Sequence, residues 1–172
     1  TGSVMLHVCS LSKLPETVVS TGAKSVITLI NAEMNVPTPV GILPERHLFL
    51  AFNDIVTPVK GLIPASERQV EAFLSFVRSW DRQEPLVIHC WAGISRSTAG
   101  AYVAACALNP NADEYDLAKI LRARSPSATP NARIVAMGDK ILGRDGRMID
   151  AIRGIGRGAN AFEGNPFVMP ID

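Results

Sequence analysis

The 172-residue chain has little of what would assign it to several common classes of protein. It has three cysteines, an odd number with no Cys-x-x-Cys pair, which argues against a disulfide framework and favours a reducing compartment, the cytoplasm. Its net charge is +1 with 19% charged residues, which gives no strong field to attract nucleic acid or an anionic membrane. Two of its three histidines, His7 and His47, are isolated, and no cluster has metal-ligand spacing. We therefore expect no metal, no cofactor and no nucleic-acid partner.

Long hydrophobic runs are also missing. No apolar run reaches the ~18 residues of a membrane helix, and no charged-then-apolar leader opens the sequence, so no membrane partner is expected. The length suits one domain that can bury well over half of its unfolded surface. We expect a folded domain over residues 1–153, followed by a glycine-rich tail over residues 154–172 that packs loosely or is disordered.

The most informative stretch is LVIHCWAGISRS, from Leu86 to Ser97. Its apolar start predicts a buried strand, and the Ala-rich run from Thr98 to Leu108 predicts a buried helix, so the residues between them form a strand-to-helix loop. The first N–H groups of a helix have no partner within the helix, and the helix dipole is positive there, so such a loop favours an anion. Gly93 can take the positive φ that turns successive N–H groups inward, and Arg96 can add a two-pronged donor.

Cys90 ends the predicted strand, directly below this anion site. A helix N-terminus and a nearby cation lower the pKa of a cysteine from its usual ~8.5, which makes a thiolate at neutral pH. The residues therefore predict a nucleophile in a phosphate-sized site. The alternative is an inert buried cysteine, which would leave Gly93, Ser95, Arg96 and Ser97 unexplained.

These residues resemble the cysteine-based protein tyrosine phosphatases, whose signature is His-Cys-x5-Arg-Ser/Thr, and in particular their small dual-specificity-like branch. The resemblance implies that Cys90 is the nucleophile, Arg96 clamps the phosphate, and Ser97 steadies the leaving thiolate. His89 would support the site from behind. The loop residues would bind substrate through their backbone; they are Trp91, Ala92, Gly93, Ile94 and Ser95.

The rest of the sequence predicts alternating strands and helices. Strands are expected at Val4 to Cys9, Val26 to Ile30, Arg46 to Phe52 and 86–90. Two long loops, Asn31 to Pro44 and Asn53 to Ala65, separate the middle elements. The fold class is a single α/β domain with a four- to five-stranded, mostly parallel central sheet, helices on both faces, and the phosphate-binding loop between a central strand and a buried helix.

A cysteinyl phosphatase needs an acid to protonate the leaving oxygen, and Asp54 is the candidate. It follows the third strand and is the only acidic residue between Arg46 and Ser66, whereas Asp81 and Glu84 precede the fourth strand and belong at the opposite edge. Its interval of 36 residues to Cys90 matches the family only loosely. The alternative for Asp54 is an Asx-type turn with Asn53.

The expected reaction is hydrolysis of phosphomonoesters by a protein tyrosine or dual-specificity phosphatase, with a phosphorylated protein or small aryl phosphate as substrate. Trp91 either forms a wall against an aromatic substrate or packs under the loop. The loop residues between Cys90 and Arg96 are neutral, which favours a phosphoprotein over an inositol lipid as substrate. The rivals are a sulfur transferase, an arsenate reductase, or a phosphate-binding module without activity. Cys106 is expected in the core, and a disulfide between Cys9 and Cys90 stays open.

The segment from Arg124 to Pro130-Asn131 resembles the family's Arg-then-Pro-Asn pattern, and we expect it to return to the mouth of the site. The alternative for this segment is a plain loop and helix cap.

Overall fold

The computed structural model describes residues 5–171. Within them the chain forms a five-stranded sheet and six α-helices, which confirms the predicted α/β class. The strands are β1 (Leu6–Ser10), β2 (Ser25–Ile30), β3 (His47–Ala51), β4 (Leu86–Cys90) and β5 (Phe167–Met169). The helices are α1 (Leu14–Thr21), α2 (Glu67–Ser79), α3 (Arg96–Leu108), α4 (Glu114–Arg124), α5 (Ala132–Leu142) and α6 (Arg147–Ile155).

The sheet has the order β3-β2-β4-β1-β5. The four strands β1 to β4 are parallel, and β5 pairs antiparallel with the outer edge of β1. Strands β2 and β4 are buried throughout, as their continuous apolar runs predict for a parallel sheet covered on both faces. The carboxyl ends of β1, β2, β3 and β4 therefore meet at one edge, where ligands bind in open α/β sheets.

Helices cover both faces of the sheet, as predicted. Helix α1 and the loop after β2 pack on one face, in a small cluster with Cys9, Val26 and Val87. The remaining helices and β5 enclose the main core on the other face, around α3. Helix α3 is buried from Arg96 to Cys106, which confirms the buried helix predicted from its apolar composition.

The helix boundaries follow local signals. Ser66 and Gln69 form a capping box at the start of α2. Gly22 and Gly143 end α1 and α5 in the left-handed conformation, and the Asp113 side chain caps α4. No helix within residues 5–171 is long and apolar enough to cross a membrane.

The C-terminal segment differs from the prediction of a loose tail. Residues 167–169 form β5, and Phe167, Met169 and Ile171 are buried in the main core. Residues 156–166, here called the C-terminal strap, run from α6 to β5 and hydrogen-bond to other parts of the chain on the way. The prediction of a loosely packed tail was therefore wrong for this segment. The predicted first strand begins at Val4, which lies outside the described residues, and the observed strand starts at Leu6.

Candidate active site

The signature loop, residues 90–96, connects β4 to α3 at the carboxyl edge of the sheet. Cys90 lies at its base, 2% exposed. Its Sγ receives a hydrogen bond from the Gly93 N–H at 3.3 Å and lies 3.0 Å from Ser97 Oγ. Two donors are therefore available to a thiolate at this position, and hydrogen bonds to the charged form favour it.

Gly93 is required by the shape of this loop. Its φ is +71°, a region that side chains other than glycine rarely adopt. A Cβ atom at this position would lie 2.9 Å from the Ser10 backbone nitrogen at the end of β1. The loop therefore packs directly on the backbone of the neighbouring strand. Glycine is needed here both for the positive φ and because a side chain would not fit.

Arg96 is held by the ends of two other strands. Its Nη1 donates to Asn31 Oδ1 at 2.5 Å, just after β2, and to the Phe52 carbonyl at 2.8 Å, just after β3. Among the described residues, no protein atom accepts a hydrogen bond from its Nε or Nη2. These atoms are the ones available to an oxyanion in the loop.

Asp54 lies beside the signature loop, as its position after β3 predicts. Its Oδ1 accepts from Ser95 Oγ at 2.7 Å and from Asn131 Nδ2 at 2.8 Å. Asn131 also donates to the Ile55 carbonyl and caps α5 through Ile134 N. The segment before α5 returns to the site as expected, since Thr129 N and Asn131 N donate to the Ile94 and Ser95 carbonyls. Asn131 is the member of the Pro-Asn pattern that contacts the candidate acid.

His89 is fully buried behind Cys90 and forms part of a chain of hydrogen bonds. Its Nδ1 lies 3.2 Å from the Cys90 carbonyl, and its Nε2 lies 2.7 Å from Thr28 Oγ1. Thr28 Oγ1 also lies 2.7 Å from Nε2 of His47, whose Nδ1 is 2.9 Å from Thr38 Oγ1. These hydrogen bonds connect the loop after β2 to the backbone of Cys90.

The chemistry of the groups fixes the direction of every hydrogen bond between Thr38 and the Cys90 carbonyl. A carbonyl only accepts, so His89 Nδ1 carries a proton. Burial lowers the pKa of His89 to about 4, so the ring is neutral and its Nε2 accepts from the Thr28 hydroxyl. Thr28 has no second proton, so it accepts from His47 Nε2. Burial also lowers the pKa of His47, and its neutral Nδ1 accepts from Thr38.

The C-terminal strap covers part of the signature loop. Gly164 N donates to the Ala92 carbonyl at 2.8 Å, and a Cβ at Gly164 would lie 2.6 Å from the Gly93 carbonyl oxygen. Glu163 accepts from Ser10 Oγ at 2.6 Å and from Ser12 Oγ, and these two hydrogen bonds lower its pKa. Phe162 packs edge-on against Trp91, with ring centroids 5.6 Å apart. Trp91 is 45% exposed, so it contacts the strap at the surface and is not packed beneath the loop.

A cleft of about 600 Å³ opens beside the signature loop. Asp54, Ile94 and Ser95 form one side of it, and the strap residues Arg157 and Asn160 form the other. Sequence reasoning identified the first side and missed the second, because the strap approaches from the far end of the chain. It also missed Asn31, Thr28 and His47, which lie on neighbouring strands or just beyond their ends.

The other two cysteines differ from Cys90. Burial raises the pKa of Cys9 to about 12 and that of Cys106 to about 11. Cys9 pairs with His89 across the sheet, so its side chain points to the α1 face, whereas Cys90 belongs to the main core on the other face. All three thiols are free, and this arrangement of strands speaks against a disulfide between Cys9 and Cys90.

The comparison with protein families finds a match in the same region. Residues 59–127, which contain Cys90 and Arg96, match the model described as protein-tyrosine phosphatase. No curated protein matches the chain in sequence.

Solved structures share the fold at low sequence identity. The Cydia pomonella PTP-2 phosphatase is 16% identical with a TM-score of 0.61, and the match covers 79% of this chain and 84% of that one. Human DUSP28 is 15% identical with a TM-score of 0.62, covering 81% and 92%. The human tyrosine phosphatase-like serine/threonine/tyrosine-interacting protein is 18% identical with a TM-score of 0.63, again covering 81% and 92%.

These matches confirm the resemblance to the cysteine-based protein tyrosine phosphatases that His89, Cys90, Arg96 and Ser97 predicted. The structural neighbours include a dual-specificity phosphatase, human DUSP28, and at 15% identity this likeness shows that the fold is shared.

Proposed function

We propose that the protein is a protein tyrosine or dual-specificity phosphatase that hydrolyses phosphomonoesters through a cysteinyl-phosphate. The observation that carries this proposal is the placement of Cys90 Sγ under an inward-turned loop, with Asp54 fixed on the rim of the same loop by Ser95 and Asn131. A nucleophile and a carboxyl group at one phosphate-sized site are the two groups that the reaction needs.

In the first step, the Cys90 thiolate attacks phosphorus in line with the leaving oxygen. A sulfur–phosphorus bond forms, the bond from phosphorus to the leaving oxygen breaks, and Asp54 donates its proton to that oxygen. The loop N–H groups and the free nitrogens of Arg96 hold the remaining phosphoryl oxygens, where negative charge accumulates in the transition state.

In the second step, water attacks the phosphorus of the cysteinyl-phosphate. Asp54, now ionised, takes a proton from the water, and the sulfur–phosphorus bond breaks. Ser97 Oγ, 3.0 Å from Cys90 Sγ, stabilises the thiolate as it leaves. The products are inorganic phosphate and the regenerated thiolate, so protons and electrons balance without a cofactor.

We infer that His89 acts through the backbone, because its Nδ1 donates to the Cys90 carbonyl. A thiol nucleophile and two further free cysteines suit a reducing compartment, so we propose that the protein acts in the cytoplasm.

The deciding experiment is hydrolysis of an aryl phosphate in the presence of a chelator. The wild type should release phosphate and Cys90→Ser should not, while still binding phosphate or tungstate in the loop. A wild type that binds these anions without turnover would instead be a phosphate-binding module. A wild type that turns over arsenate or thiosulfate and not the phosphate ester would assign the site to one of the other cysteine enzymes.

A second variant tests Asp54. Asp54→Ala should lower kcat about 10²–10⁴-fold on phosphotyrosine, whose leaving group needs a proton. The fall in kcat should be much smaller on an aryl phosphate whose phenol leaves unaided. Equal losses on both substrates would contradict a role as the acid.

A further inference from the structure

A groove separate from the catalytic cleft lies between α5 and α6. It has a volume of about 490 Å³, and its apolar lining includes Val56, Met137 and Ile152. Three cationic residues, Arg133, Lys140 and Arg153, also line the groove, and none of its lining residues is acidic.

The three cations differ in how they are engaged. Lys140 Nζ pairs with Glu67 at 2.6 Å, and Arg133 Nε donates to the Ala65 carbonyl at 2.7 Å. Arg153 is exposed, and among residues 5–171 it forms no ion pair with an acidic side chain. Its guanidinium is therefore the cation most available to a ligand in the groove.

The groove and the catalytic cleft are separate, but three segments of the chain contribute residues to both regions. Val56 is two residues after Asp54, and the groove residue Ala132 directly follows Asn131, whose amide binds Asp54. On the opposite side, Arg153 lies in the last turn of α6, four residues before Arg157 in the cleft. These residues of the groove therefore lie at most four positions from Asp54, Asn131 or Arg157, which places the groove beside the cleft.

We propose that the groove binds the residues flanking the phosphorylated side chain of a protein substrate, and that it selects a segment with acidic and apolar residues. Apolar side chains of the segment contact Met137 and Ile152, and its carboxylates face Arg153 and Arg157. This inference rests on the proposed phosphatase function and adds the class of substrate sequence that the site prefers.

The test compares phosphotyrosine peptides whose flanks are acidic and apolar with peptides of the same length whose flanks are basic, together with a small aryl phosphate. The wild type should prefer the acidic peptide, mainly through a lower KM. Arg153→Glu should lower kcat/KM for the acidic peptide about 5- to 20-fold, because an exposed ion pair is replaced by a repulsion of similar size. The same variant should raise kcat/KM for the basic peptide and leave kcat/KM for the aryl phosphate unchanged.

Arg78→Glu is the matched control, since Arg78 is an exposed arginine on α2 that lines neither the cleft nor the groove. It changes the net charge equally and should leave all three substrates unaffected. The preference of the wild type should also weaken at high ionic strength, where exposed charges are screened.

Equal kcat/KM for the two peptides, or an Arg153→Glu loss that is the same on the aryl phosphate, would overturn the proposal. So would binding to phosphatidylserine vesicles that Arg153→Glu abolishes while no peptide preference is seen, because the groove would then serve a membrane.

The two proposals can fail separately. Fluorescence anisotropy with the Cys90→Ser protein measures peptide binding without turnover. Charge-dependent binding there, combined with no hydrolysis of the aryl phosphate by the wild type, would retain the groove and reject the phosphatase activity.

Discussion

Thr28 Oγ1 lies 2.7 Å from Nε2 of His89, on the opposite face of the sheet from the Cys90 side chain. Cys90 is thus supported through the sheet: the hydroxyl on β2 fixes the proton of His89 on Nδ1, and Nδ1 donates to the Cys90 carbonyl.

Replacing Thr28 by valine should make the Cys90 thiol less reactive towards iodoacetamide. The variant loses the donor to His89 Nε2, so the tautomer that polarises the Cys90 carbonyl is no longer enforced. A hydrogen bond of ~0.5–1.5 kcal/mol corresponds to an about 2- to 12-fold slower alkylation of Cys90 by iodoacetamide, measured as a rate profile against pH. Thr28→Ser keeps the hydroxyl and should restore the wild-type profile. A valine variant that is less stable but has an unshifted alkylation profile would reduce Thr28 to a packing role.

The neutral state of buried His89 predicts a loss of stability in mild acid. Its pKa is about 4 in the folded protein against an ordinary 6.5. Above about pH 6.5 both states are neutral, whereas below it the unfolded chain takes up a proton that the folded protein does not. The free energy of unfolding should therefore fall by about 3 kcal/mol as the pH falls from about 6.5 to about 4. Urea unfolding of wild type and His89→Asn across this range measures the difference, and parallel curves would show that His89 does not titrate in this way.

Gly93→Ala should disable the site more than it destabilises the fold. The positive φ costs a non-glycine residue ~1–2 kcal/mol, and the new Cβ would press on the Ser10 nitrogen, which displaces the loop. Displacement of catalytic groups by about 1 Å can cost about 100-fold in rate, which we expect for hydrolysis of an aryl phosphate. Gly41→Ala is the matched control, because Gly41 also has a positive φ but open space around it. Wild-type activity in Gly93→Ala would mean that the loop tolerates a different path.

Arg144→Met should be strongly destabilising. Arg144 and Glu114 form an ion pair at 2.6 Å with side chains only 8% and 9% exposed, and Arg144 also donates to the Cys106 carbonyl. Although burial alone would raise it, the pKa of Glu114 is lowered by its hydrogen bonds from Arg144 and Arg147. Removing one partner of a buried pair costs ~3–5 kcal/mol, since the other charge stays buried. Chemical unfolding should show that Glu114→Met in the Arg144→Met background recovers part of the loss. A double variant less stable than Arg144→Met would contradict this explanation.

Asn131→Ser should separate the two tasks of Asn131. A serine side chain keeps an oxygen for the cap of α5 but loses the amide that donates to Asp54 at 2.8 Å. Stability should stay close to wild type, while kcat on phosphotyrosine falls about 10-fold because Asp54 is less well oriented. The rate on an aryl phosphate with a good leaving group should change little. An equal loss on both substrates would place the effect of Asn131 on the signature loop and not on the acid.

The elements that the sequence predicts are those whose signals are local, and most of the other helices carry local signals too. The capping box at Ser66, the glycine at the end of α5, and the apolar run of β4 each lie within a few residues of the element they define. The placement of Cys90, Arg96 and Asp54 beside one another also followed from sequence, since parallel strands bring their carboxyl ends to one edge of the sheet.

The remaining features depend on contacts between distant segments. Strand β5 has only three residues between Pro166 and Pro170, and its partner β1 lies at the other end of the chain, so no sequence window contains the pair. The contact of Thr28 with both histidines depends on the lateral register of β2 against β4 and β3. That register is set by how the crossover connections pack, which local periodicity does not encode.

The pairing of β5 with β1 also has a consequence for biosynthesis. The C-terminal strap and β5 are translated after the signature loop and after Asp54, and yet they complete the cleft wall and cover the edge of β1. During elongation, the nascent chain therefore has an unpaired β1 edge, which is the kind of surface that recruits other strands. The cleft therefore remains open on one side until β5 has been synthesised and has paired with β1, because that pairing holds the strap and its Arg157 in place.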